Sequence, residues 1–534
     1  MSGFPEHVNT SLAQIDALYE TLNKRFASGA TQTLAYRLYN LKQLGHLVND
    51  NLERIQAAVE KDIGKGGFDV LNGDLWIIFN EIELAVRKVE TWMKDEGRMG
   101  DALLSMQSMR PRVRKQPKGV ALIISTWNFP WQLSLNPLVG AIAAGCPAIV
   151  KPSEHAPTSS ALLAELLPRY LDPEAYGVVL GAADESKALL QKGWGHILYT
   201  GGGEVGKIVA KAAAETLTPS TLELGGKSPV IISPCADLKI AARRMFSIKV
   251  MTAGQMCVAP DYVLCPKDRV DEFIAACRQT LDEFYPPYPS PSSLLNSPHT
   301  SSLRNASDYA RIADYVDKAE QEGKLVYKGE RDETKRRFGV SLIRLNDGGV
   351  GESGGVADEE IFGPIVAIVP VDDVDAAIKY VNARPHPLAL YVCSSKRSVF
   401  TKVISETTSG SATWNDFGFA TFARNIPFGG VGASGWGNYH GVDGFNTFTH
   451  QKAILEIPYL FEPLMAVRYP PLSSFKKTLI TWMMFSGMPY GRPKSVEDEA
   501  RRLWKKKWGW RAVWGVGLIL GAGAFAQKGR FLKN

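Results

Sequence analysis

Two short stretches of the sequence carry residue types that could do chemistry. The stretch "TAGQMCVAPDY", residues 252–262, places Cys257 in a turn of small residues between a helix-like run and an apparent strand. A cysteine thiolate is a strong nucleophile, although an isolated free cysteine is more often a small buried hydrophobic residue. The stretch "TGGGEVG", residues 200–206, ends a predicted strand and begins a predicted helix, whose backbone N–H groups could hold a pyrophosphate. Because it lacks the GxGxxG spacing, it also fits a purely structural turn.

The elements that must position these residues alternate between short strands and helices. Residues 10–98 carry apolar residues at helical spacing and predict a helical lead-in. From "GVALIIST" onwards, two successive sets of β-rich and helix-like runs predict βαβ units and parallel sheets. A chain of 534 residues is too long for one compact core. The sequence therefore predicts an α/β fold with two α/β layers.

Composition and charge exclude several classes of protein. The apolar share of 45% and the charged share of 22% are typical of a globular chain. Much of the positive excess lies in "RRLWKKKWGWR" and "KGRFLKN", so the net charge of +6 does not predict a nucleic-acid partner. The six cysteines form no CxxC pair, which favours free thiols in a reducing compartment, and we predict no metal site. The N-terminus shows no basic-then-apolar run, so no signal peptide is predicted.

An ordered set of motifs runs through most of the chain and resembles the aldehyde dehydrogenase superfamily. The motifs are "STWNFPWQLSLNPLVGAIAAGCPAIVKPSE", "TGGGEVG", "TLELGGKSP", "GQMCVAPDY", "EEIFGP" and "PFGGVGASGWGNYHG". The likeness covers about residues 10–460, and the order is far more specific than any one motif. Within the superfamily, "GQMCVAPDYVLC" and the later "VRYPP" are most similar to the class 3 branch, which includes membrane-anchored fatty aldehyde dehydrogenases.

The resemblance implies roles for three catalytic residues. Cys257 matches the nucleophile, which adds to the aldehyde carbon and makes it a hydride donor. Asn128 matches the side-chain donor of the oxyanion hole, together with the backbone N–H of Cys257. Glu223 matches the base that activates water to cleave the thioester. We also expect nearby amides and a cationic cofactor ring to lower the pKa of the Cys257 thiol.

The same resemblance implies NAD as cofactor. The matching cofactor-binding residues are Trp127, Lys151, Glu154, Gly201, Gly202, Val205, Gly225, Glu360 and Phe362. Lys151 and Glu154 should bind the adenosine ribose, and the Glu154 carboxylate should repel a 2′-phosphate, which favours NAD over NADP. Gly225 and Gly226 should lie beside the nicotinamide, where a side chain would block the ring. His440 matches a residue near the substrate entrance.

The predicted organisation follows the superfamily. A Rossmann-like NAD-binding domain should comprise residues 1–105 and 119–232, followed by a second α/β catalytic domain at 233–423. A small β bridging segment, residues 106–118 and 424–460, should join the subunits of a homodimer. Residues 461–511 are predicted to form a C-terminal extension with an amphipathic helix within "SSFKKTLITWMMFSGM", residues 473–488.

The expected reaction is NAD-dependent oxidation of an aldehyde to a carboxylic acid through a cysteine thiohemiacetal and thioester. Medium- to long-chain aliphatic aldehydes are the first expected substrates, with aromatic aldehydes or semialdehydes as alternatives. A catalytically silent structural relative should have lost Cys257, Glu223 or Asn128, and an acylating relative tends to lose Glu223. A cysteine hydrolase is disfavoured because no histidine motif accompanies Cys257.

The stretch "AVWGVGLILGAGAFA", residues 512–526, lacks charge and has basic flanks on both sides. We expect it to anchor the protein in a membrane, either as a span or in the interface, since fifteen helical residues measure about 22 Å against a core of about 30 Å. The catalytic body should then face the cytosol at the endoplasmic reticulum, the mitochondrial outer membrane or a lipid droplet. The sequence does not choose among these membranes.

Overall fold

The computed structural model describes residues 3–102, 104–286, 290, 293–298, 300–352, 354–484 and 492–504. The chain divides into two compact units. The first combines Met1–Glu96 with Val113–Ala453 and contains every residue for which the sequence predicts a catalytic or cofactor role. The second combines Gly97–Arg112 with the chain from Ile454 onwards. The predicted membrane anchor, residues 512–526, lies outside the described part of the chain.

Helices dominate the chain before the first sheet and alternate with strands afterwards. In chain order they are α1 (Leu12–Ala27), α2 (Leu34–Asp50), α3 (Leu52–Ile63), α4 (Gly67–Val70), α5 (Trp76–Trp92), α6 (Leu104–Gln107), α7 (Gln132–Ala144), α8 (Pro157–Tyr170), α9 (Ala183–Leu190), α10 (Gly203–Glu215), α11 (Leu238–Lys249), α12 (Val270–Phe284), α13 (Ala306–Gln321), α14 (Gly355–Asp358), α15 (Val374–Asn382), α16 (Arg397–Glu406), α17 (Phe419–Phe422), α18 (Gly441–Thr447), α19 (Glu462–Met465) and α20 (Ser474–Met484).

The strands follow the same numbering. They are β1 (Glu96–Gly97), β2 (Arg112–Pro117), β3 (Ala121–Ile124), β4 (Ala148–Lys151), β5 (Tyr176–Val178), β6 (His196–Gly201), β7 (Ser220–Leu224), β8 (Ser228–Ile232), β9 (Pro260–Pro266), β10 (Leu325–Tyr327), β11 (Arg331–Asp332), β12 (Arg337–Phe338), β13 (Ser341–Arg344), β14 (Ile365–Val371), β15 (Ala389–Cys393), β16 (Ser411–Trp414), β17 (Gly435–Trp436) and β18 (Thr449–Ile454).

The predicted helical lead-in is present as α1 to α5. Its ends follow local sequence signals, because Ser11 and Gln14 form a capping box at the start of α1. At the end of α3, Gly64 adopts the left-handed backbone conformation that glycine favours. Buried residues such as Leu41, Leu44 and Val48 on α2 belong to the main hydrophobic core, which confirms the helical spacing read from the sequence.

The first layer is a six-stranded sheet with the order β17-β7-β6-β3-β4-β5. Strands β3 to β7 are mutually parallel, whereas β17 pairs antiparallel with β7, with Gly435 opposite Glu223. Every residue of β3 and β4 is buried, as expected for parallel strands covered on both faces. β17 lies within the predicted bridging segment 424–460 and forms the outer strand of the first sheet.

The second layer is a seven-stranded sheet with the order β10-β13-β14-β9-β8-β15-β16. Its neighbouring strands are parallel except for the antiparallel pair β10 and β13. β9 and β14 are buried along their whole length and pair directly at its centre. The two sheets confirm the predicted α/β class with two layers.

Two smaller features complete the described chain. β1, β2 and β18 form a three-stranded sheet, which contains the strands expected from residues 106–118 and 424–460. In the second compact unit, α20 covers most of the predicted amphipathic helix, and residues 485–488 fall outside the described residues. Among the described residues, no helix combines the length and apolar character needed to cross a membrane. The predicted domain boundaries remain predictions.

Candidate active site

Four neighbouring strands of the six-stranded sheet end at one edge, and each delivers residues that the sequence singled out. β3 leads into the turn with Trp127 and Asn128, and β4 ends at Lys151. β6 ends at Gly201, and β7 carries Glu223. Because the carboxyl ends of parallel strands share one edge, residues far apart in sequence meet there.

Cys257 lies in the loop that connects α11 to β9, and its side chain is half-buried. Before it, Thr252, Ala253 and Gly254 all have positive φ angles, between 52° and 73°. Only glycine fits at position 254, since a Cβ there would lie 2.5 Å from the carbonyl oxygen of Gly363. After Cys257, the hydroxyl of Tyr391 donates to the carbonyl oxygen of Val258 at 2.6 Å. The loop that presents the thiol is therefore held on both sides.

Asn128 is buried, and one of its polar atoms is tied to the Cys257 loop. Its Nδ2 donates to the backbone carbonyl oxygen of Gln255 at 3.0 Å. The side chain of Gln255 is itself fixed, because Nε2 donates to the carbonyl oxygen of Thr252 and Oε1 accepts from the backbone N–H of Arg304. An amide nitrogen has two hydrogens, so the second hydrogen of Asn128 remains for an oxyanion.

Glu223 is buried near the end of β7, and neither of its carboxylate oxygens has a hydrogen-bond partner within the described residues. Burial, reinforced by the charge of Glu360, raises the pKa of Glu223 to about 8, and the Cys257 thiol opposes this shift. Buried carboxylates are normally paired, so an unpaired one facing a thiol indicates a functional group. Such a carboxylate exchanges protons near neutral pH, as a general base must.

The pKa of Cys257 differs from the sequence prediction. Burial and the neighbouring carboxylates of Glu223 and Glu360 raise the pKa of this thiol well above its ordinary value. The backbone amides of Cys257 and Val258 lower it, as predicted, but their effect is smaller. In the protein chain alone, two acidic side chains and burial outweigh two N–H donors, and the predicted effect of the cofactor ring stays a prediction.

Glu360, Gly225, Phe362 and Trp127 form one wall of the site. A Cβ at Gly225 would overlap the carboxylate of Glu360, so the glycine is needed for this approach. Burial, followed by the charge of Asp261, raises the pKa of Glu360 to about 8. The rings of Trp127 and Phe362 meet edge to face with centroids 5.8 Å apart.

Lys151 and Glu154, which the resemblance assigns to the adenosine ribose, form an ion pair. Lys151 is buried, and its Nζ lies 3.3 Å from Oε2 of Glu154. Partial burial raises the pKa of Glu154, but its own backbone N–H and the charge of Lys151 outweigh burial, so the pKa is lowered overall. The carboxylate is thus ionised at neutral pH and presents a negative charge to any phosphate bound beside it.

The glycine-rich turn has the predicted arrangement. Gly201 is the last residue of β6, and a Cβ there would overlap the hydroxyl of Tyr199. Gly202 is the N-cap of α10, and a Cβ there would meet nothing within 4 Å. Val205 on the first turn of α10 is half exposed. The turn leaves an open helix N-terminus, the arrangement that binds phosphates.

His440 is predicted at the substrate entrance, and the structure places it in a buried position. Its ring stacks on Phe428 with centroids 5.5 Å apart, and burial lowers its pKa to about 4. Its φ angle is 87°, and it is the N-cap of α18. The histidine is therefore neutral at physiological pH, and its role at the entrance stays a prediction.

One cavity brings the predicted residues together. It has a volume of about 180 Å³, and its lining includes Thr126, Trp127, Asn128, Leu133, Thr200, Gly201, Gly202, Glu223, Gly225, Cys257, Glu360 and Phe362. All three predicted catalytic residues and six of the nine predicted cofactor residues thus face one space. Lys151, Glu154 and Val205 do not line it. Among the described residues there is no cluster of side chains able to hold a metal ion.

The cavity suits a dinucleotide with a nicotinamide ring. Gly225 allows the close approach of the Glu360 carboxylate at the cavity wall, and the glycine turn presents a helix N-terminus for a pyrophosphate. Oε1 of Glu360 is buried without a hydrogen-bond partner among the described residues, so an acceptor is ready for a ribose hydroxyl. Lys151 and Glu154 could hold the second ribose.

The chain belongs to the aldehyde dehydrogenase family, whose model matches residues 6–454. It is 39% identical to aldehyde dehydrogenase family 3 member A2 of Rattus norvegicus, over 87% of this chain and 93% of the relative. This similarity confirms the predicted likeness to the class 3 branch. The chain is an enzyme that oxidises aldehydes with NAD.

Solved structures agree with this assignment. The structure of Staphylococcus aureus AldH in a substrate-bound state has 33% sequence identity and a TM-score of 0.78, and the match covers 85% of this chain and 99% of that chain. Aldehyde dehydrogenase C of Pseudomonas syringae, as a mutant in complex with NAD+ and octanal, has 25% identity and a TM-score of 0.73, covering 85% and 94%. These matches confirm the fold and the use of NAD.

The sequence analysis did not predict the properties of three residues near or outside the site. Gln255 lies within a quoted motif, but only the structure shows that it connects Asn128 to the Cys257 loop. Tyr439 is buried with its hydroxyl unpartnered among the described residues, and burial, followed by the charges of Glu223 and Cys257, raises its pKa well above the ordinary value. Hydrogen bonds with Ser233, Ser394 and Ser395 lower the pKa of Cys235 to about 6, although an isolated free cysteine is more often a buried hydrophobic residue. None of these features has a signal in residue spacing.

Proposed function

We propose that Cys257, Asn128 and Glu223 catalyse the oxidation in the cavity that they share. The carrying observation is that an unpaired buried carboxylate, a half-buried thiol and an anchored amide line one space of about 180 Å³. The resemblance assigns the same three positions to catalysis. Structural groups without a chemical role would be expected to have hydrogen-bond partners.

The proposed sequence begins with removal of the thiol proton. Because the pKa of Cys257 is raised, the thiol needs a base, and the ionised form of the Glu223 carboxylate beside it accepts the proton. The Cys257 sulfur then forms a bond to the aldehyde carbon, and the carbonyl oxygen becomes an oxyanion stabilised by Asn128 Nδ2 and a backbone N–H. NAD, when bound, supplies the acceptor for the hydride that leaves this carbon.

The second half of the reaction releases the acid. Loss of the hydride leaves a thioester on Cys257, and a water molecule must attack its carbonyl carbon. Glu223 first releases the thiol proton to solvent and then accepts a proton from that water, the carbon–sulfur bond breaks, and the carboxylic acid leaves with the thiolate restored. Glu360, Phe362 and Trp127 orient the reactants from the facing wall.

Single substitutions test these roles. Cys257→Ala should abolish NADH formation, because no covalent bond to the aldehyde can form. If Glu223 acts only on water, Glu223→Gln should keep the burst of NADH formation and show slow turnover. If Glu223 also takes the thiol proton, the same change should slow the burst as well. Full steady-state activity in Cys257→Ala would refute the mechanism.

We propose medium- to long-chain aliphatic aldehydes as substrates. Trp76, Phe419 and Phe422 form an aromatic cluster with ring centroids 6.3 and 6.1 Å apart, and Trp76 and Phe419 are about half exposed. The backbone N–H of Gly418, next to this cluster, donates to the same Tyr391 hydroxyl that holds the Cys257 loop. An exposed apolar patch connected to a catalytic loop favours apolar substrates.

A further support is the Pseudomonas syringae relative, whose complex contains octanal. The test is a kinetic screen of aldehydes from about six carbons upward beside benzaldehyde derivatives. Each buried CH2 should contribute about 0.8 kcal/mol, or about fourfold in kcat/KM. A flat dependence on chain length with high efficiency for benzaldehydes would favour the aromatic alternative, since an aromatic cluster would suit aromatic substrates equally.

We also propose that the protein is membrane-anchored through residues 512–526, with its catalytic body in the cytosol. Support comes from the uncharged run with its basic flanks and from α20, where Phe475 and Trp482 are 73% and 78% exposed beside Lys476 and Lys477. Apolar and basic side chains together suit a membrane surface. A truncation ending at Leu503 should remain active on short aldehydes without membrane binding. Release of the full chain by high salt or carbonate would refute an inserted anchor.

A homodimer is the proposed assembly. β18 lies at an edge of the three-stranded sheet, and four of its six residues are exposed. An exposed sheet edge can pair with the same edge of a second copy. Light scattering after size-exclusion chromatography should give twice the chain mass of 58.5 kDa. A single-chain mass at micromolar concentration would refute it.

A further inference from the structure

A short segment of the helical lead-in contacts the two loops that carry Asn128 and Cys257. This segment, residues 65–74, connects α3 to α5 and contains α4 followed by most of a π-helical turn, Leu71–Leu75. π-helical turns are rare and occur frequently at functional sites. None of its residues belongs to the motifs that the sequence analysis used.

At one end of the segment, a fully buried ion pair contacts the turn that carries Asn128. Nζ of Lys65 lies 2.8 Å from Oδ2 of Asp74, and both side chains have 0% exposure. Oδ1 of Asp74 accepts from the backbone N–H of Gln132, the first residue of α7, at 3.2 Å. Nζ of Lys65 also lies 3.7 Å from the ring centroid of Phe129. Since Phe129 directly follows Asn128, both partners of the pair hold the turn that presents the amide.

At the other end, the same segment reaches the Cys257 loop. Oδ2 of the buried Asp69 accepts long hydrogen bonds from the backbone N–H of Thr252 at 3.4 Å and from Oγ of Ser301 at 3.5 Å. Thr252 begins the left-handed stretch that precedes Cys257. The segment is therefore fixed to both loops, and a shift of Phe129 relative to it would move Asn128 relative to Cys257.

The energetics favour a geometric role for the ion pair. Removing two charges from water is unfavourable, and apolar replacements of buried pairs are often neutral or stabilising. Core stability alone therefore does not account for the Lys65–Asp74 pair. Its contacts with Phe129 and Gln132 give it a directional effect that apolar side chains would not have.

We propose that residues 65–74 form a brace that sets the distance between Asn128 and Cys257, with Lys65 and Asp74 as positioning residues. This proposal depends on the role of Asn128 in the oxyanion hole, given under Proposed function. Neither Lys65 nor Asp74 touches the reacting atoms; both act through the Phe129 turn. Displacement of an oxyanion donor by about 1 Å costs up to about a hundredfold in rate, so the effect is measurable.

The sharpest test adds one methyl group to the brace. A Cβ at Gly73 would lie 2.8 Å from Cε1 of Phe129, so Gly73→Ala should push the ring and the turn away. Gly67→Ala is the matched control, because its Cβ would meet only the carboxamide of Gln56 at 3.9 Å. Gly73→Ala should lower the burst rate of NADH formation by about tenfold or more. The Kd for NAD and the rate of Cys257 alkylation by iodoacetamide should stay unchanged in both variants.

A double-mutant cycle separates positioning from general destabilisation. If the brace acts through Asn128, Gly73→Ala should have little further effect on the burst rate in the Asn128→Ala background. Equal effects in both backgrounds, or no effect in the unmodified background, would overturn the brace and leave the oxyanion role intact. An unchanged burst in Asn128→Ala alone would overturn that role, and the brace with it.

A second pair of variants tests the charges themselves. Lys65→Met/Asp74→Leu should reproduce the Asn128-dependent loss, whereas Arg54→Met/Glu165→Leu, which removes a 3.1 Å ion pair between α3 and α8, should not. Thermal unfolding identifies a variant that is not folded. If the first variant fails to fold, the Gly73→Ala cycle decides the question alone. Equal burst rates in the two folded double variants would contradict the role of the charges.

Discussion

Replacing Glu360 with glutamine should shift the pH dependence of turnover to lower pH. Glu223 must be ionised to accept a proton from water, and burial together with the charge of Glu360 raises its pKa to about 8. With that pKa, about one Glu223 in ten is ionised at pH 7 and about nine in ten at pH 9. Turnover of the unmodified enzyme should therefore rise about tenfold between these pH values and then level off.

The Glu360→Gln change keeps the shape of the side chain and removes the repelling charge. The pKa of Glu223 should then fall, because the Glu360 charge no longer opposes ionisation of Glu223 at the pH values where Glu360 is ionised. It should remain above the ordinary value because burial is the larger cause. The assay is the pH profile of kcat, followed through NADH at saturating aldehyde and NAD, because Glu360 is also expected to bind the nicotinamide ribose.

The matched control is Glu359→Gln, since the exposed Glu359 carboxylate accepts from the Tyr315 hydroxyl at 2.7 Å instead of facing the cavity. Its pH profile should match that of the unmodified enzyme. A midpoint in Glu360→Gln that is unchanged or higher would refute the electrostatic coupling. A flat profile from pH 7 to pH 9 in the unmodified enzyme would refute the role of Glu223 as the rate-determining base.

Three further changes have defined outcomes. Glu154→Gln should narrow the preference for NAD over NADP by about tenfold in kcat/KM, because it removes a charge that opposes the 2′-phosphate; equal efficiency with both cofactors before the change would contradict this. At pH 7 in NAD-free protein, iodoacetamide should label Cys235 before Cys257, because the pKa of Cys235 is lowered to about 6 and that of Cys257 is raised; mass spectrometry of the peptides gives the order. Gly254→Ala should lower the free energy of unfolding by about 2 kcal/mol, measured by denaturant titration, because φ is 73° and the added Cβ would contact Gly363.

The fold class and most of the cavity lining could be predicted from the sequence because ordered motifs carry them. Cys257, Asn128 and Glu223 each lie in a motif at a strand end or loop, and the shared edge of parallel strands brings them together. The helical lead-in was also predictable, since apolar residues such as Leu41 and Leu44 recur at helical spacing and are buried.

Electrostatics and tertiary support were not predictable in the same way. The raised pKa of Cys257 depends on the distance to two carboxylates from separate strands and loops, which no local pattern encodes. The Lys65–Asp74 pair lies in a Gly-rich stretch whose sequence predicts a break between helices. The pair is buried because it packs against Phe129, which the local sequence does not indicate. Likewise, β17 has only two residues, too few for any periodicity to indicate a strand.

That two-residue strand has a consequence for how the protein is made. β17 covers the outer edge of β7, yet it is synthesised long after the rest of the first sheet. Until Gly435 and Trp436 leave the ribosome, the nascent chain exposes an unpaired strand edge, a template for association with other chains. Glu223 lies on that edge, opposite Gly435. Catalytic competence should therefore arrive late in synthesis, and a nascent chain that stalls before residue 435 should depend on chaperones.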